Sequence, residues 1–399
     1  METDQTTAKP SIYLLGIISC LSPFGIVVIV PIIPMIGIIF DQRPENLQYL
    51  ASAYLLGLAF GQPFAGFLSD KYGRRPLLIL GFLIFILSCL GLAITSSFEI
   101  MVFLRFIQAA GASVGSVTAR AIARDLFAEE KAVQAFSFMS AAMGIAPIIA
   151  PVVGGSVAHI FGYQGVYLVT AIVGILILYR SWFLIPETRP SAKQGHQVET
   201  NFSKIPVIIS SPAFLGYTGI FGFTQGTFFS FLGIGAAIFN DNFGIGPLGF
   251  GIIWGSLAIF YVLGSITVNR SAKHLGRKKV TGYSVYASLC VGWLGVLGLK
   301  IFGINFFTIL TPLAGLMFFS GMLIPMAMFG AVDLFPEVSG TASGVSSSVG
   351  LVTGGVFSIL SGNLYIYGYL YIALLSALAT LCAVLSWLLV HYSSKETLI

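Results

Sequence analysis

Long apolar runs limit how this chain can fold more than any other feature of its sequence. A helix that crosses the hydrocarbon core of a bilayer needs about 20 apolar residues, because each residue advances it by about 1.5 Å. In lipid every backbone N–H and C=O group must be paired within the protein, so runs of this length form helices. Twelve such runs follow one another, at 12–39, 48–68, 77–96, 100–122, 133–156, 165–185, 208–239, 247–269, 280–299, 305–331, 339–362 and 368–390. The sequence therefore predicts an all-α polytopic membrane protein with 12 transmembrane helices.

The chain carries too little charge for its surface to face water. Only 9% of its 399 residues are charged, whereas a soluble domain has about 25% charged residues. The lipid bilayer is therefore the expected partner of most of the surface, and the net charge of +5 does not indicate a nucleic-acid partner. The four cysteines lie far apart inside apolar runs, which argues against a disulfide framework or a metal site. No cofactor is expected.

The basic residues predict the orientation in the membrane. With a cytoplasmic N-terminus, seventeen of the 20 Lys and Arg residues fall on the cytoplasmic side, Arg120 among them, and only Arg43 and Lys300 fall outside. Cytoplasmic loops of membrane proteins carry the excess of Lys and Arg, so both termini are expected in the cytoplasm. Arg105 is the single basic residue that this assignment places within a span and away from both sides of the membrane.

The two halves of the chain repeat the same motifs. Residues 70–75 and 273–278 share a Gly followed by two basic residues, and 125–129 and 333–337 share Asp-Leu-Phe-x-Glu. The longest polar stretch between spans divides the chain between these copies. We therefore expect an N-terminal six-helix bundle (1–185), a cytoplasmic linker (186–207) and a C-terminal six-helix bundle (208–399).

The stretch 66–76 combines close packing with charge at one helix end. Gly66 lets a neighbouring helix approach, and Gly73 supplies the tight turn between two spans. Asp70 is an anion able to sit on the positive N-terminal end of another helix, and Arg74 can pair with Asp125. A turn with positive-inside charge would explain the basic residues but not Asp70, so we interpret these five residues as a conformational latch.

This stretch resembles the signature loop of the major facilitator superfamily. The resemblance implies two parallel six-helix repeats, with the substrate site near the middle of the membrane between them. It also nominates the eleventh span, which begins near residues 339–340, as the helix that receives Asp70. One chain then holds a complete transport unit, so we expect a functional monomer.

The fifth span carries Pro147 and Pro151, followed by Gly154 and Gly155. Each proline removes a backbone hydrogen bond and the glycines thin the helix, so we expect a bent helix that packs closely on a neighbour. The pattern at 146–155 resembles the fifth-span motif of the superfamily's drug antiporters and is similar to the Bcr/CflA branch in particular. That resemblance implies the export of small molecules across the inner membrane by alternating access.

Arg105 lies in the fourth span, about 9 Å along the helix from Glu99. An arginine at that depth faces protein or water, because lipid cannot solvate it. With Gln108 it resembles a fourth-span pattern of the superfamily. Arg105 either contacts substrate or takes part in coupling, or it is satisfied by backbone carbonyls and Gln108. Tyr54 and Gln225 are the other candidate substrate-binding residues, although single polar residues in spans often serve as interhelical contacts.

The first span departs from the Bcr/CflA pattern. Relatives in that branch carry an aspartate four residues before a Pro-x-x-Pro pair, whereas Val27 holds that position before Pro31. We therefore predict that coupling through a first-span carboxylate is absent. Asp41 and Glu99, at the outer ends of spans, are the candidate coupling groups, with the proton as a candidate partner.

Together these features predict a secondary active transporter that exports a drug-like compound or metabolite. One alternative is a uniporter or anion-preferring carrier, suggested by Val27 and by the lack of an acid for Arg105. The other is a non-transporting sensor or scaffold, which the intact latch and the fifth-span motif disfavour. An enzyme is not expected, because the sequence contains no nucleophile–base set, metal cluster or phosphate loop.

Overall fold

The computed structural model describes residues 11–42, 44–188, 204–232, 234–245 and 247–396, and these ranges contain helices and no strand. The helices are α1 (Ile12–Val27), α2 (Ile33–Ile39), α3 (Pro44–Tyr72), α4 (Arg74–Ile94), α5 (Phe98–Leu126), α6 (Glu129–Leu184), α7 (Lys204–Ser210), α8 (Pro212–Leu232), α9 (Gly235–Phe243), α10 (Pro247–Leu275), α11 (Arg277–Phe302), α12 (Phe306–Asp333), α13 (Ser339–Leu364) and α14 (Tyr369–Glu396). The all-α prediction is confirmed.

The helices also account for the expected membrane spans. Ten helical segments are long and apolar enough to cross a membrane. One of them, α6, has 56 residues and contains the expected fifth and sixth spans, which meet at Gly162 (φ 68°, ψ −172°). The 21-residue α8 corresponds to the seventh span. The chain is therefore a multi-pass membrane protein, and its twelve-span architecture is confirmed.

The proline and glycine motif lies in the first part of α6. The helix continues through Pro147 and Pro151, so the departure from helical geometry occurs at Gly162 and not at the prolines. Gly154 packs against the end of α1, where a Cβ atom on Gly154 would lie only 2.0 Å from the carbonyl oxygen of Val28. The close approach expected of this motif is therefore made by Gly154.

The described helices form two compact units. Unit 1 comprises residues 1–135, 149–201 and 336–344, and unit 2 comprises residues 136–148, 202–335 and 345–399. Unit 1 thus includes the first residues of α13, and unit 2 includes part of α6. The expected division into bundles 1–185 and 208–399 stays a prediction, and residues 189–203 of the expected linker lie outside the described residues.

Unit 1 is organised around α5, which packs against α1, α3 and α4. Small residues bring these helices close together, as helix contacts in membranes require. A Cβ atom on Gly57 of α3 would lie 2.3 Å from the carbonyl oxygen of Phe106 of α5. The apolar core around Leu50, Met101 and Tyr167 is fully buried, so the polar side chains of α5 that lie among these helices are held without access to solvent.

Unit 2 contains a second core between α8, α10 and α12. Gly264 and Gly321 make reciprocal backbone contacts between α10 and α12, because a Cβ atom on either glycine would lie 1.9–2.0 Å from a carbonyl oxygen of the other helix. Phe231 of α8 stacks on Trp254 of α10, with ring centroids 6.0 Å apart. Aromatic packing and glycine contacts therefore stabilise the core of this unit.

The contrast between neighbouring glycines in α6 gives a test of the packing. We expect Gly154→Ala to destabilise the protein by about 1–3 kcal/mol, because the added methyl group overlaps the Val28 carbonyl and the backbone must shift. Thermal unfolding of the purified protein in detergent measures the effect. Gly155→Ala is the matched control, since its Cβ atom would lie 3.7 Å from Pro31, an ordinary contact. Equal melting temperatures for the two variants would contradict the packing described here.

Candidate functional site

Asp70, near the end of α3, binds the first turn of α13. Its Oδ1 atom accepts a hydrogen bond from the backbone N–H of Gly340 (3.1 Å), and its Oδ2 atom accepts one from the N–H of Thr341 (2.6 Å) and one from the Thr341 hydroxyl (2.6 Å). The first N–H groups of a helix have no partner within it, and they carry the positive end of the helix dipole. The buried carboxylate therefore supplies both acceptors and a complementary charge to α13.

Arg74 connects Asp70 with a second carboxylate. One guanidinium Nη1 donates to Asp70 and to the hydroxyl of Ser69 (2.9 Å), Nε donates to Oδ2 of Asp125 (3.2 Å), and Nη2 donates to the hydroxyl of Ser339 (3.1 Å). The Arg74 side chain is fully buried, and those of Asp70 and Asp125 are 2% and 7% exposed. We call Asp70, Arg74, Asp125 and residues 339–341 the Asp70 cluster.

Glycines give the cluster its close geometry. A Cβ atom on Gly66 would lie 2.2 Å from the carbonyl oxygen of Gly340, so only glycine fits at this crossing of α3 and α13. Gly73 adopts φ 106° between α3 and α4, a conformation that L side chains rarely adopt. Glu187, which the sequence did not single out, accepts hydrogen bonds from the N–H groups of Arg74 (3.0 Å) and Arg75 (3.3 Å) and so caps α4.

The repeat in the second half lacks the acid. Lys273 stands where Asp70 stands in the first copy. Arg277 and Asp333 still form an ion pair (3.1 Å), but their side chains are 16% and 27% exposed. The second copy therefore keeps the arginine–aspartate pair in a wetter environment, without the contact that Asp70 makes.

Arg105 is fully buried in α5 and is held mainly by neutral groups. It donates hydrogen bonds to the carbonyl oxygens of Gly25 (2.9 Å) and Leu50 (3.3 Å) and to Oε1 of Gln108 (2.6 Å). Its guanidinium lies 4.2 Å from the ring centroid of Tyr54, a cation–π contact. The carbonyl and amide partners agree with the interpretation that Arg105 is satisfied within the protein. The interpretation that Arg105 contacts substrate or takes part in coupling also stands, because Nη2 has no hydrogen-bond partner among the described residues.

The other candidate substrate-binding residues fall into two places. Gln108 donates to the sulfur of Cys89 (2.9 Å), and Tyr54 donates to the carbonyl oxygen of Ser22 (3.1 Å), so both are buried parts of the Arg105 environment. Gln225 lies in α8 of unit 2, half-buried. The structure thus groups Tyr54, Arg105 and Gln108 within unit 1, while Gln225 belongs to the other unit.

Asp41 and Glu99 share one depression at an end of unit 1. The depression has a volume of about 710 Å³, and Tyr163 and Gln164 also line it. Asp41 adopts φ 48° at the end of α2, and Glu99 accepts a hydrogen bond from the hydroxyl of Ser97 (2.7 Å). The two candidate coupling carboxylates are therefore neighbours on an open surface and are not buried in the unit.

The sequence assignment of Arg120 was wrong. It was counted among the loop charges, whereas the structure buries it in α5 with 8% exposure, and its Nε donates to the hydroxyl of Ser343 in α13 (2.9 Å). Arg105 is thus not the only arginine buried within this span. Helical spacing gave a signal that Arg120 is buried, because Arg120 lies on the same face of α5 as Ser113 and Ser116. The packing of α13 over that face cannot be read from a local pattern.

Twelve spanning helices with ionisable groups buried among them define a polytopic membrane transporter, because such groups mark transport pathways. The model of the Major Facilitator Superfamily matches residues 15–234, more than half of the chain. The chain belongs to the major facilitator superfamily and is a secondary active transporter of small compounds.

Named relatives agree over most of the chain. The bicyclomycin resistance protein homolog of Haemophilus influenzae is 27% identical over 362 residues, which cover 88% of this chain and 89% of that protein. Multidrug resistance protein D of Escherichia coli is 28% identical over 362 residues, which cover 87% of this chain and 87% of that protein. The solved structure of the proton:xylose symporter XylE is 13% identical and superposes with a TM-score of 0.76 over 94% of this chain and 94% of that chain. This similarity shows the shared fold. The expected resemblance to the Bcr/CflA type is confirmed.

The two arginine–aspartate pairs give a test of the buried charges. We expect Arg74→Gln to lower the free energy of unfolding by about 3–5 kcal/mol, because it leaves the buried Asp70 and Asp125 carboxylates without their cation. Arg277→Gln removes the matching charge from a pair that is partly exposed to solvent, and it should cost at most about 1 kcal/mol. Denaturant unfolding in detergent compares the two variants. A larger loss for Arg277→Gln would contradict this account.

Proposed function

We propose that this transporter exports drug-like compounds or metabolites across the cytoplasmic (inner) membrane by alternating access. The distribution of Lys and Arg supports a topology with both termini in the cytoplasm. Export is supported by two relatives of similar length, one named for bicyclomycin resistance and the other for multidrug resistance. Each chain works as a monomer and requires no cofactor.

The contact between Asp70 and α13 carries this proposal. Alternating access needs contacts that hold one side closed and then release, and this contact joins a helix of the first sequence half to a helix of the second. A charge at a helix N-terminus contributes about 0.3–2 kcal/mol, which changes a two-state ratio by a factor of up to tens. Such a contact is strong enough to bias the cycle and weak enough to break in each turn.

Export is tested by a substrate screen in a bacterial strain that lacks its own efflux pumps. We expect cells that produce the protein to accumulate less of at least one compound than cells that produce Asp70→Asn, because the variant loses the charge that binds α13. Accumulation of fluorescent or radiolabelled compounds is the measurement, with expression of both forms checked in isolated membranes. Equal accumulation of every compound with and without the protein would favour the sensor or scaffold interpretation.

An anion-preferring carrier without first-span coupling is the second candidate function. The fully buried Arg105 favours it, because its Nη2 atom has no partner among the described residues and none of them supplies an acid to the guanidinium. Val27 supports the same candidate, since the side chain at that position cannot carry a proton. Under this proposal the substrate gradient drives transport, or protons are exchanged through Asp41 or Glu99.

Liposomes that contain the purified protein separate the two functions. If Arg105 selects anions, Arg105→Ala should reduce uptake of anionic compounds at least about tenfold, a loss of about 1.4 kcal/mol, and leave neutral compounds unaffected. Arg105→Lys keeps the charge without the planar fork and should give an intermediate rate. An imposed pH gradient, with no substrate gradient, should drive no uphill movement when Asp41→Asn and Glu99→Gln are combined. Uphill movement in that double variant would contradict the coupling proposed here.

A further inference from the structure

Five hydroxyl side chains meet inside unit 2, where four helices pack on one another. They belong to α8, α11, α12 and α14, and each lies several residues from either end of its helix. None of them is more than 7% exposed. We call this group the hydroxyl cage, and it consists of Thr224, Thr227, Ser288, Ser320 and Thr380. Lipid offers no water to a hydroxyl at such a position, so its partners have to lie inside the protein.

Three of these hydroxyls use their donors within their own helices. The hydroxyls of Thr227, Ser288 and Thr380 donate to carbonyl oxygens three residues earlier, at 2.7–2.8 Å. Each hydroxyl oxygen keeps lone pairs that can accept a further hydrogen bond. The hydroxyls of Thr224 and Ser320 make no hydrogen bond to the described residues. The hydroxyl cage therefore offers both donors and acceptors to a ligand.

The cavity between these side chains has the size of one water molecule. The centre of a water molecule can occupy about 10 Å³ of it, and about 10–15 Å³ of such space holds one molecule. Phe223, Leu316 and Leu323 complete the lining, and none of the described residues that line the cavity is acidic or basic. An ion would lose its hydration here without meeting an opposite charge. The site therefore suits a small neutral ligand that both donates and accepts hydrogen bonds.

We propose that the hydroxyl cage binds one water molecule, which bridges α8 and α12. The water oxygen accepts hydrogen bonds from the hydroxyls of Thr224 and Ser320, and its two hydrogens are donated to oxygens of the other three cage hydroxyls. A water-mediated hydrogen bond is nearly as favourable in enthalpy as a direct one. The bound water thus joins helices whose cage hydroxyls make no direct hydrogen bond to one another, and it stabilises the interior of unit 2.

A cryo-electron microscopy map of the full-length protein that resolves ordered water tests the site directly. We expect a peak about 2.5–3.0 Å from the hydroxyl oxygens of Thr224 and Ser320. A map that shows buried waters elsewhere but no peak in the hydroxyl cage would overturn the proposal. A direct hydrogen bond between these two hydroxyls would overturn it as well, and so would a cation held by six or more oxygens at about 2.3–2.6 Å.

The sign of a stability change gives an independent test. If water fills the cage, Ser320→Ala removes one of its partners and should lower the melting temperature in detergent by a few degrees. If the cage is dry, the same change removes a buried hydroxyl that lacks a partner, so the melting temperature should stay the same or rise. Thr224→Val keeps the shape of the side chain and should act in the same direction as Ser320→Ala. Either variant alone decides the sign if the other fails to fold.

Ser230→Ala is the matched control. Ser230 is fully buried in α8 and donates to the carbonyl oxygen of Gly226 (2.7 Å), and it is not among the residues that line the cavity. Its loss should change the melting temperature less than the loss of either unpaired cage hydroxyl. The double variant of Thr224→Val and Ser320→Ala should lose less than the sum of the single losses, because both hydroxyls bind one water. Additive losses, or an unchanged or higher melting temperature in either single variant, would refute the water site.

Discussion

Arg74 lies where no water reaches it, between the carboxylates of Asp70 and Asp125. A buried charge is tolerated only when ion pairs and hydrogen bonds replace its hydration, and here those partners come from α3, α5 and α13. The same requirement fixes the surrounding glycines, because the carboxylate of Asp70 reaches the first turn of α13 only if Gly66 and Gly340 let the backbones touch. The position of Asp70, the close packing of α3 on α13 and the pairing of Arg74 therefore depend on one another.

The arginines of α5 show two further ways to hold a charge in a membrane protein. Arg105 is surrounded by carbonyl oxygens, an amide oxygen and an aromatic ring, and one of its nitrogens has no partner among the described residues. Arg120 donates to a serine of a helix that belongs to the other half of the sequence. The pairing of Arg74 suits a stable contact, whereas the incomplete compensation of Arg105 suits a group that meets a ligand.

Some of this arrangement could be predicted from the sequence, because it depends on local chemistry. The apolar runs predicted the spans, and the stretch 66–76 predicted that Asp70 meets the start of the eleventh span and that Arg74 faces Asp125, contacts that the structure contains. Two features could not be predicted in this way. Glu187 follows α6 in the chain yet caps α4, and Arg120, assigned to a loop by its charge, is buried because α13 packs over it.

The sequence by itself determined that the chain is helical and lies in a membrane, since apolar length and scarce charge leave no other way to satisfy the backbone in lipid. It also determined the family, through motifs whose residues are close together in the chain. Only the tertiary structure decided which charges are buried and by what, because burial depends on helices that are far apart in sequence, such as α5 and the first turns of α13. Hydration is lost through contact, and contacts between distant helices leave no local pattern in either of them.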